Sequence, residues 1–192
     1  MRTILSFILL FSAAGACAGG KPAPAEAKAV VHDLGWFSCR APAGWEAGRD
    51  KAAETRAKIY ELEFLGPRAG GAPLMVSAAY YAKGNTDFSS AEEFIRINSK
   101  DSFGRTVSLS RKYGPVRKTA LGGRRAFAFE RTVKEYLHPE SDSEESVTVK
   151  EKFLVVPGKD GFVAFHYYAP SAVYEKNLPV FNKTVSDCSL KF

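Results

Sequence analysis

The sequence predicts one α+β domain, with a mostly antiparallel sheet of about seven strands and two main helices. Three observations predict it: segments in which apolar and polar residues alternate, glycine- and proline-containing turns between them, and two helix-like stretches far apart in the chain. Alternation with a period of two is typical of strands that bury one face. The length of 192 residues suits one such domain with additional N-terminal segments.

Most strands are predicted from alternation and from the turns that bound them, and the strand at 73–81 is predicted from a continuous apolar run. Gly122 and Gly123 predict a two-residue hairpin turn, and residues 157–161 predict a second hairpin. Residues 66–71 and 139–146 are expected to be loops because they are rich in turn-forming or polar residues. The predicted strands are 36–40, 58–64, 73–81, 116–121, 124–133, 147–156 and 162–168, with a last short strand at 189–192.

The first helix is expected to begin at Ser89 or Ser90. Glu92 or Glu93 follows three residues later, as a capping box requires. The helix is expected to end near Ser102, before a glycine.

The second helix is expected to begin with Ser171 as its cap and to run towards Val185. Pro179 lies inside this stretch, and an interior proline kinks or breaks a helix. Two short helices, the second beginning at Pro179, are therefore predicted.

The N-terminus predicts export. A cationic Arg2, an apolar run at 4–11 and small residues at 13–17 have the order of a secretory signal. The apolar run is too short to span a bilayer as a helix, which takes about 20 residues. The expected organisation is a signal segment at 1–16, a flexible Gly/Pro/Ala-rich tether at 17–33 and the folded domain at 34–192.

Two forms of processing remain open. Residues 14–17 resemble a bacterial lipobox, in which Cys17 would carry lipid and anchor the protein to a membrane of the cell envelope or periplasm. Ala14 departs from this pattern, where leucine is usual. Alternatively, an ordinary signal peptidase cuts after Ala16 or Ala18, and the protein is secreted in soluble form.

Cys39 and Cys188 are predicted to form a disulfide. If Cys17 is lipidated, these two cysteines remain as an even pair in an oxidising compartment. The alternative is two free, buried thiols that behave as small apolar side chains.

The order of motifs resembles the PsbP-like/DcrB-like family. These motifs are Phe-x-Cys-x-x-Pro-x-Gly-Trp at 37–45, a central helix, hairpin strands, and Gly-Phe…Tyr-x-Ala-Pro-x-x-x-Tyr at 161–174 before a C-terminal helix. The resemblance spans 34–192 and implies an antiparallel sheet with helices packed on both faces. It also implies an envelope lipoprotein or a lumenal accessory protein. The motif residues serve packing and turns, so no binding residue is implied.

Catalytic and metal sites find little support in the sequence. There is no nucleophile elbow, no phosphate-binding glycine loop and no zinc-ligand spacing, so no enzyme activity, cofactor or metal is expected. The acidic residues of the 139–146 loop lack the pattern of a calcium-binding loop. The alternative hypothesis is an envelope enzyme of unknown reaction that uses Cys39 or His166.

Charge gives the strongest indication of a binding surface. Basic residues crowd 105–131, and a hairpin at Gly122-Gly123 would gather Arg117, Lys118, Arg124 and Arg125 into an anion-binding patch. Outside the cytoplasm, the partners would be anionic head groups or an acidic protein face, and nucleic acid is not expected. The alternative is a set of solvated charges that discourage edge pairing. We expect a non-catalytic, monomeric binding or accessory module.

Overall fold

The structure, a computed structural model, describes residues 30–108 and 110–192. The predicted signal segment, the lipidation of Cys17 and most of the tether lie outside these residues. Within them, no helix has both the length and the apolarity needed to cross a bilayer.

The described residues form eleven strands and three helices. In chain order, they are β1 Val31–Asp33, β2 Phe37–Arg40, β3 Glu46–Gly48, α1 Lys51–Ala57, β4 Ile59–Ala69, β5 Ala72–Ala82, α2 Ala91–Ser99, β6 Arg111–Tyr113, β7 Arg117–Leu121, β8 Arg124–Tyr136, β9 Ser146–Gly158, β10 Gly161–Pro170, α3 Ser171–Asp187 and β11 Ser189–Leu190.

Two antiparallel sheets organise the domain. The larger has eight strands in the order β3-β4-β5-β10-β9-β8-β6, and β7 also pairs with β8. The smaller sheet has the order β1-β2-β11. The prediction of a mostly antiparallel α+β fold is confirmed, but the expected number of about seven strands is too low. The additional elements β1, β3, β6 and α1 are too short to leave a periodic signal in the sequence. Because β1 pairs with β2, folded structure begins before residue 34.

The main core lies between the larger sheet, the smaller sheet and α3. Val163 and Phe165 of β10 are fully buried there. Tyr167 follows on the same face, and its ring centroid lies 4.9 Å from that of Tyr174 and 5.6 Å from that of Phe181, both in α3. Alternation along β10 thus supplies one apolar row to this core.

A second, smaller core involves α2. The Phe94 ring of this helix lies 5.5 Å from Phe162 and 6.2 Å from Phe153. Tyr81 stacks on Phe162 at 4.7 Å, and Phe88 closes the cluster against Phe94 at 4.9 Å. Aromatic packing fixes the position of α2 on the sheet.

The prediction of a loop at 66–71 is wrong for residues 66–69. Strand β4 continues to Ala69, with a register shift between Leu65 and Arg68. The Gly-Pro pair is accommodated at this irregularity, where a Cβ on Gly66 would lie 2.6 Å from the Trp45 ring. The turn itself is confined to Gly70-Gly71, both with positive φ.

The proline in α3 does not divide the helix, contrary to the prediction of two pieces. Helix α3 is continuous from Ser171 to Asp187, with Pro179 exposed inside it. Tyr174 and Phe181 lie on either side of the proline and are buried in the main core. Their burial offsets the cost of an interior proline, which is about 3 kcal/mol.

The start of α3 also differs from expectation. Pro170 occupies the cap position, and Ser171 is the first helical residue. The Ser171 hydroxyl is buried and has no hydrogen-bond partner among the described residues. Proline is favoured near a helix start because its φ is already close to the helical value.

Candidate functional site

The basic hairpin, which we define as residues 117–125, is formed by β7 and the first residues of β8. Gly122 and Gly123 connect them with φ values of 55° and 78°, both left-handed. A two-residue turn of this kind matches the twist of antiparallel strands. The structure therefore brings the four predicted basic residues onto one pair of strands.

The four basic side chains are divided between the two sides of that strand pair. Arg117 is opposite Ala128, and Lys118 is opposite Phe127. Because directly opposed residues point to the same face, Arg117 and Arg124 share one face, and Lys118 and Arg125 share the other. The hairpin is thus a two-sided basic edge and not a single flat patch.

All four side chains are exposed. Two guanidinium groups lie over aromatic rings, Arg124 at 5.1 Å from Phe192 and Arg125 at 5.5 Å from Phe127. Of the salt bridges found in the described part of the chain, none engages these four cations. Their charges remain available to an anionic partner.

A small pocket of about 190 Å³ lies beside the hairpin and adds a cation that the sequence did not single out. Arg117, Glu130 and Lys152 line it, with Pro115 among its apolar residues. The Glu130 carboxylate accepts a hydrogen bond from the Tyr174 hydroxyl at 3.3 Å. Lys152 lies on β9, opposite Glu130, so only strand register could have identified it.

Arg131, which belongs to the same basic stretch of sequence, is not part of this surface. Its Nη2 donates to Oε1 of Glu151 at 2.8 Å, and its Nε donates to the other carboxylate oxygen. His166 Nε2 is 2.9 Å from Oε1 of the same carboxylate, and Asn98 accepts from Arg131 Nη1 at 3.2 Å. We call these three residues, Arg131, Glu151 and His166, the buried ion network.

The carboxylate of the buried ion network is ionised over a wide pH range. Burial alone would raise the pKa of Glu151, but hydrogen bonds from His166 and Arg131 outweigh it and hold that pKa at about 2. Nearby on β4, burial raises the pKa of Glu63, and the His166 charge opposes that rise.

His166 and Cys39, the residues of the alternative enzyme hypothesis, do not form a catalytic pair. Cys39 is bonded to Cys188, with an S–S distance of 1.97 Å, and is 1% exposed. It belongs to the main core with Phe165, whereas His166 points to the other side of β10 and stacks on Phe153 at 4.3 Å. A disulfide-bonded cysteine has no thiolate to offer as a nucleophile.

The predicted disulfide pair is therefore at bonding distance. Cys39 lies in β2, and Cys188 follows the end of α3, so the bridge ties the C-terminal helix to the smaller sheet. For metal binding, the described residues contain no group of three His, Cys, Asp or Glu side chains that could hold an ion.

Comparison with known proteins places the fold. No protein-family model and no curated protein matches the chain. The cyanobacterial PsbP protein (CyanoP) of Synechocystis sp. PCC 6803 is similar, with a TM-score of 0.50, 11% identity, and 90% of this chain and 98% of that chain covered.

Two further solved structures are similar. PA94, a protein of unknown function from Pseudomonas aeruginosa, has a TM-score of 0.49 and 8% identity, covering 85% of this chain and 98% of that one. A Bacteroides thetaiotaomicron protein has a TM-score of 0.49 and 10% identity, covering 88% of this chain and 50% of that one. The architecture described above and the likeness to CyanoP together identify the chain as a protein of the PsbP-like fold.

Proposed function

We propose that this protein is an exported, non-catalytic accessory module of the cell envelope that binds an anionic partner through its basic hairpin. The observation that carries the proposal is the set of four exposed cations on one strand pair, Arg117, Lys118, Arg124 and Arg125. A field from several like charges attracts anions over distances of the order of 10 Å at physiological salt. Anionic head groups are the partner we favour, because they are abundant at an envelope membrane.

Export and anchoring complete the proposal. A signal segment and a lipidated Cys17 would place the domain near a membrane surface, with the tether as spacer. A lipid on Cys17 would hold the tether at the membrane, but it would not orient the folded domain. The hairpin would bring the domain itself against the anionic head groups.

We also infer that helices cover both sides of the larger sheet. Phe94 of α2 contacts Phe162, whereas Tyr174 of α3 contacts Tyr167. Even- and odd-numbered residues of a strand point to opposite faces, which supports this arrangement. The four cations of the hairpin are exposed, so this edge of the sheet is accessible to a partner.

The test is binding to vesicles of phosphatidylcholine with and without phosphatidylglycerol. We expect two double variants, Arg117→Glu/Arg124→Glu and Lys118→Glu/Arg125→Glu, each to weaken binding to the anionic vesicles by at least about tenfold at low salt. Comparing the two reports which side of the hairpin faces the membrane. Lys159→Glu/Lys176→Glu makes the same change in charge at exposed positions elsewhere and should bind as the wild type does.

Unchanged binding by both hairpin variants, with the control also unchanged, overturns the proposal. If the protein binds an acidic protein but not anionic vesicles, the partner is a protein and the proposed head-group partner is wrong. The protein used should be recovered after export and carry Cys17→Ala, so that no attached lipid dominates the result.

A further inference from the structure

A second surface with membrane-binding chemistry lies next to the hairpin's edge of the sheet, in the turn at residues 101–105. Phe103 is 81% exposed at its tip. Asp101 Oδ1 accepts the backbone N–H of Phe103 at 2.9 Å and that of Arg105 at 2.7 Å. Gly104 adopts a left-handed φ of 76° and donates its N–H to the Asp101 carbonyl oxygen. An ordered turn therefore holds the phenyl ring out into water.

Exposed apolar side chains continue on both sides of this turn. Ile97, in the last turn of α2, is 46% exposed, and Val107 is 61% exposed. Val107 lies in a segment that pairs with β6 on the side away from β8, through Tyr113 N–H to Thr106 and Ser108 N–H to Arg111. These three exposed apolar residues flank one turn in the sequence, and exposed apolar groups that lie close together mark interaction sites more often than singly scattered ones do.

A groove of about 700 Å³ separates α2 from this turn. Its walls carry the chemistry that a phosphate group needs: three cations and three serine hydroxyl groups. These are Arg96, Lys100 and Arg111, with Ser102, Ser108 and Ser110. The one carboxylate among the lining residues, on Asp101, is engaged by the Arg105 guanidinium at 2.7 Å. Arg96 lies 3.7 Å from the Glu93 carboxylate of the same helix, whereas Lys100 and Arg111 take part in none of the salt bridges of the described residues. The groove is therefore cationic, chiefly through Lys100 and Arg111.

The surrounding sequence is the most basic part of the chain. Residues 96–129 carry nine cationic side chains against the single carboxylate of Asp101, hence a net charge of +8, whereas the entire chain has +6. The rest of the protein is thus slightly acidic. The positive charge of this region favours an anionic surface as its partner. The exposed apolar ring of Phe103 favours a surface that has a hydrocarbon layer beneath its charges, which is a membrane.

We propose that this groove binds the phosphate of an anionic phospholipid while Phe103 enters the interfacial layer of the membrane. Arg96, Lys100 and Arg111 contact the phosphate, and the ring of Phe103 enters the boundary between head groups and acyl chains, where the apolar side chains of interfacial segments are buried. The inference rests on the proposed membrane function, but it assigns a different surface. The hairpin attracts the protein to the membrane, and the turn at 101–105 attaches it.

The experiment that separates the two surfaces places a fluorescent reporter at the tip of the turn. In the exported Cys17→Ala protein, Phe103→Trp should shift its emission to the blue on addition of phosphatidylglycerol vesicles and be quenched by brominated acyl chains. Trp36 and Trp45 of the parent protein give the background. Tyr136→Trp, at an aromatic position that is 49% exposed elsewhere on the sheet, should not respond.

Two further variants test the contacts. Phe103→Ser should weaken vesicle binding about tenfold. High salt should abolish the remaining binding completely, because salt screens contacts between charges but not apolar contacts. Lys100→Glu/Arg111→Glu should weaken binding more than Lys159→Glu/Lys176→Glu does. Circular dichroism and thermal unfolding confirm that each variant is folded.

The outcomes distinguish this proposal from the preceding one. If the protein binds anionic vesicles through the hairpin but Phe103→Trp neither shifts nor is quenched, the groove proposal is overturned and the hairpin proposal stands. If the hairpin variants bind normally and the Phe103→Trp reporter responds, the hairpin proposal is overturned and the groove proposal stands. If no vesicle is bound, both lose their membrane partner.

Discussion

At the scale of single residues, the buried ion network shows that the exposure of a side chain can differ from what its sequence neighbours suggest. Glu151 lies between two lysines in an alternating strand, where an acidic residue is usually solvated. In the fold it is 3% exposed, held by Arg131 on one neighbouring strand and His166 on the other. Removing one partner from such a network leaves a buried charge uncompensated.

Glu151→Gln should therefore lower the free energy of unfolding at pH 7 by about 3 kcal/mol, because the Arg131 guanidinium loses its counter-charge. Denaturant unfolding of the variant and the wild type measures this loss. Glu175→Gln is the control, since Glu175 also pairs with a cation, Lys150, but its side chain is 71% exposed. The control should change stability by less than about 1 kcal/mol.

The same network predicts a dependence on pH. Folding lowers the pKa of Glu151 from its ordinary 4.5 to about 2, so its stabilisation is present above pH 4.5 and is lost as pH falls towards 2. The difference in stability between the wild type and Glu151→Gln should accordingly shrink across that interval. A difference that stays constant from neutral to acid pH would show that folding does not lower the pKa of Glu151.

At the scale of elements, the first turn of α2 follows the capping pattern with one modification. Ser90 is the cap, and its hydroxyl accepts the Glu93 N–H at 3.2 Å. In a capping box the Glu93 carboxylate would accept the N–H of the cap residue Ser90, but here it accepts the N–H of Ser89 at 2.7 Å. The helix ends at Ser99, before the predicted Ser102, because Asp101 begins the turn that presents Phe103.

Ser90→Ala should lower the free energy of unfolding by about 1 kcal/mol, because it leaves a helix N–H without its acceptor. Ser90→Asp supplies a carboxylate oxygen in the same place and should stay close to the wild type. Chemical unfolding of the three proteins measures the difference. A loss by Ser90→Asp as large as that by Ser90→Ala would mean that some contact other than the cap is involved.

At the scale of the whole molecule, the disulfide joins the two ends of the domain. Cys39 and Cys188 are separated by 149 positions, and β11 pairs with β2 immediately beyond the bridge. A cross-link that closes so long a loop restricts the unfolded chain more than a short one does. The C-terminal helix and the smaller sheet are thereby held together against the main core.

Cys39→Ala/Cys188→Ala should reduce the free energy of unfolding by about 2–4 kcal/mol, somewhat less than the roughly 5 kcal/mol of the chain-entropy model. Denaturant midpoints of this variant, the oxidised protein and the reduced protein provide the measurement, in a Cys17→Ala background. The variant and the reduced protein should unfold together. Equal midpoints for the oxidised and reduced proteins would contradict the expected stabilisation.

Local periodicity accounts for what could be predicted. The long strands β5, β8, β9 and β10 were located within a few residues, β5 from a continuous apolar run and the others from alternation or from the turns that bound them, as was the Gly122-Gly123 turn. The short strands and α1 carry too few residues to show a period. The sequence did not identify Glu151, Lys152 or the groove of Arg96, Lys100 and Arg111. The register of neighbouring strands brings Glu151 and Lys152 close to their partners, and the path of the chain after α2 brings the groove residues together.

The fold class, the hairpin that groups the four cations and the pairing of the two cysteines could be predicted from the sequence, because they depend on local patterns and on a count of cysteines. Three features became evident only in the folded molecule: Pro179 lies within a continuous helix, Arg131 is buried in an ion network, and the hairpin is basic on both sides. Burial, pairing across strands and the cost of an unpaired charge depend on residues distant in the chain, so no local pattern reveals them.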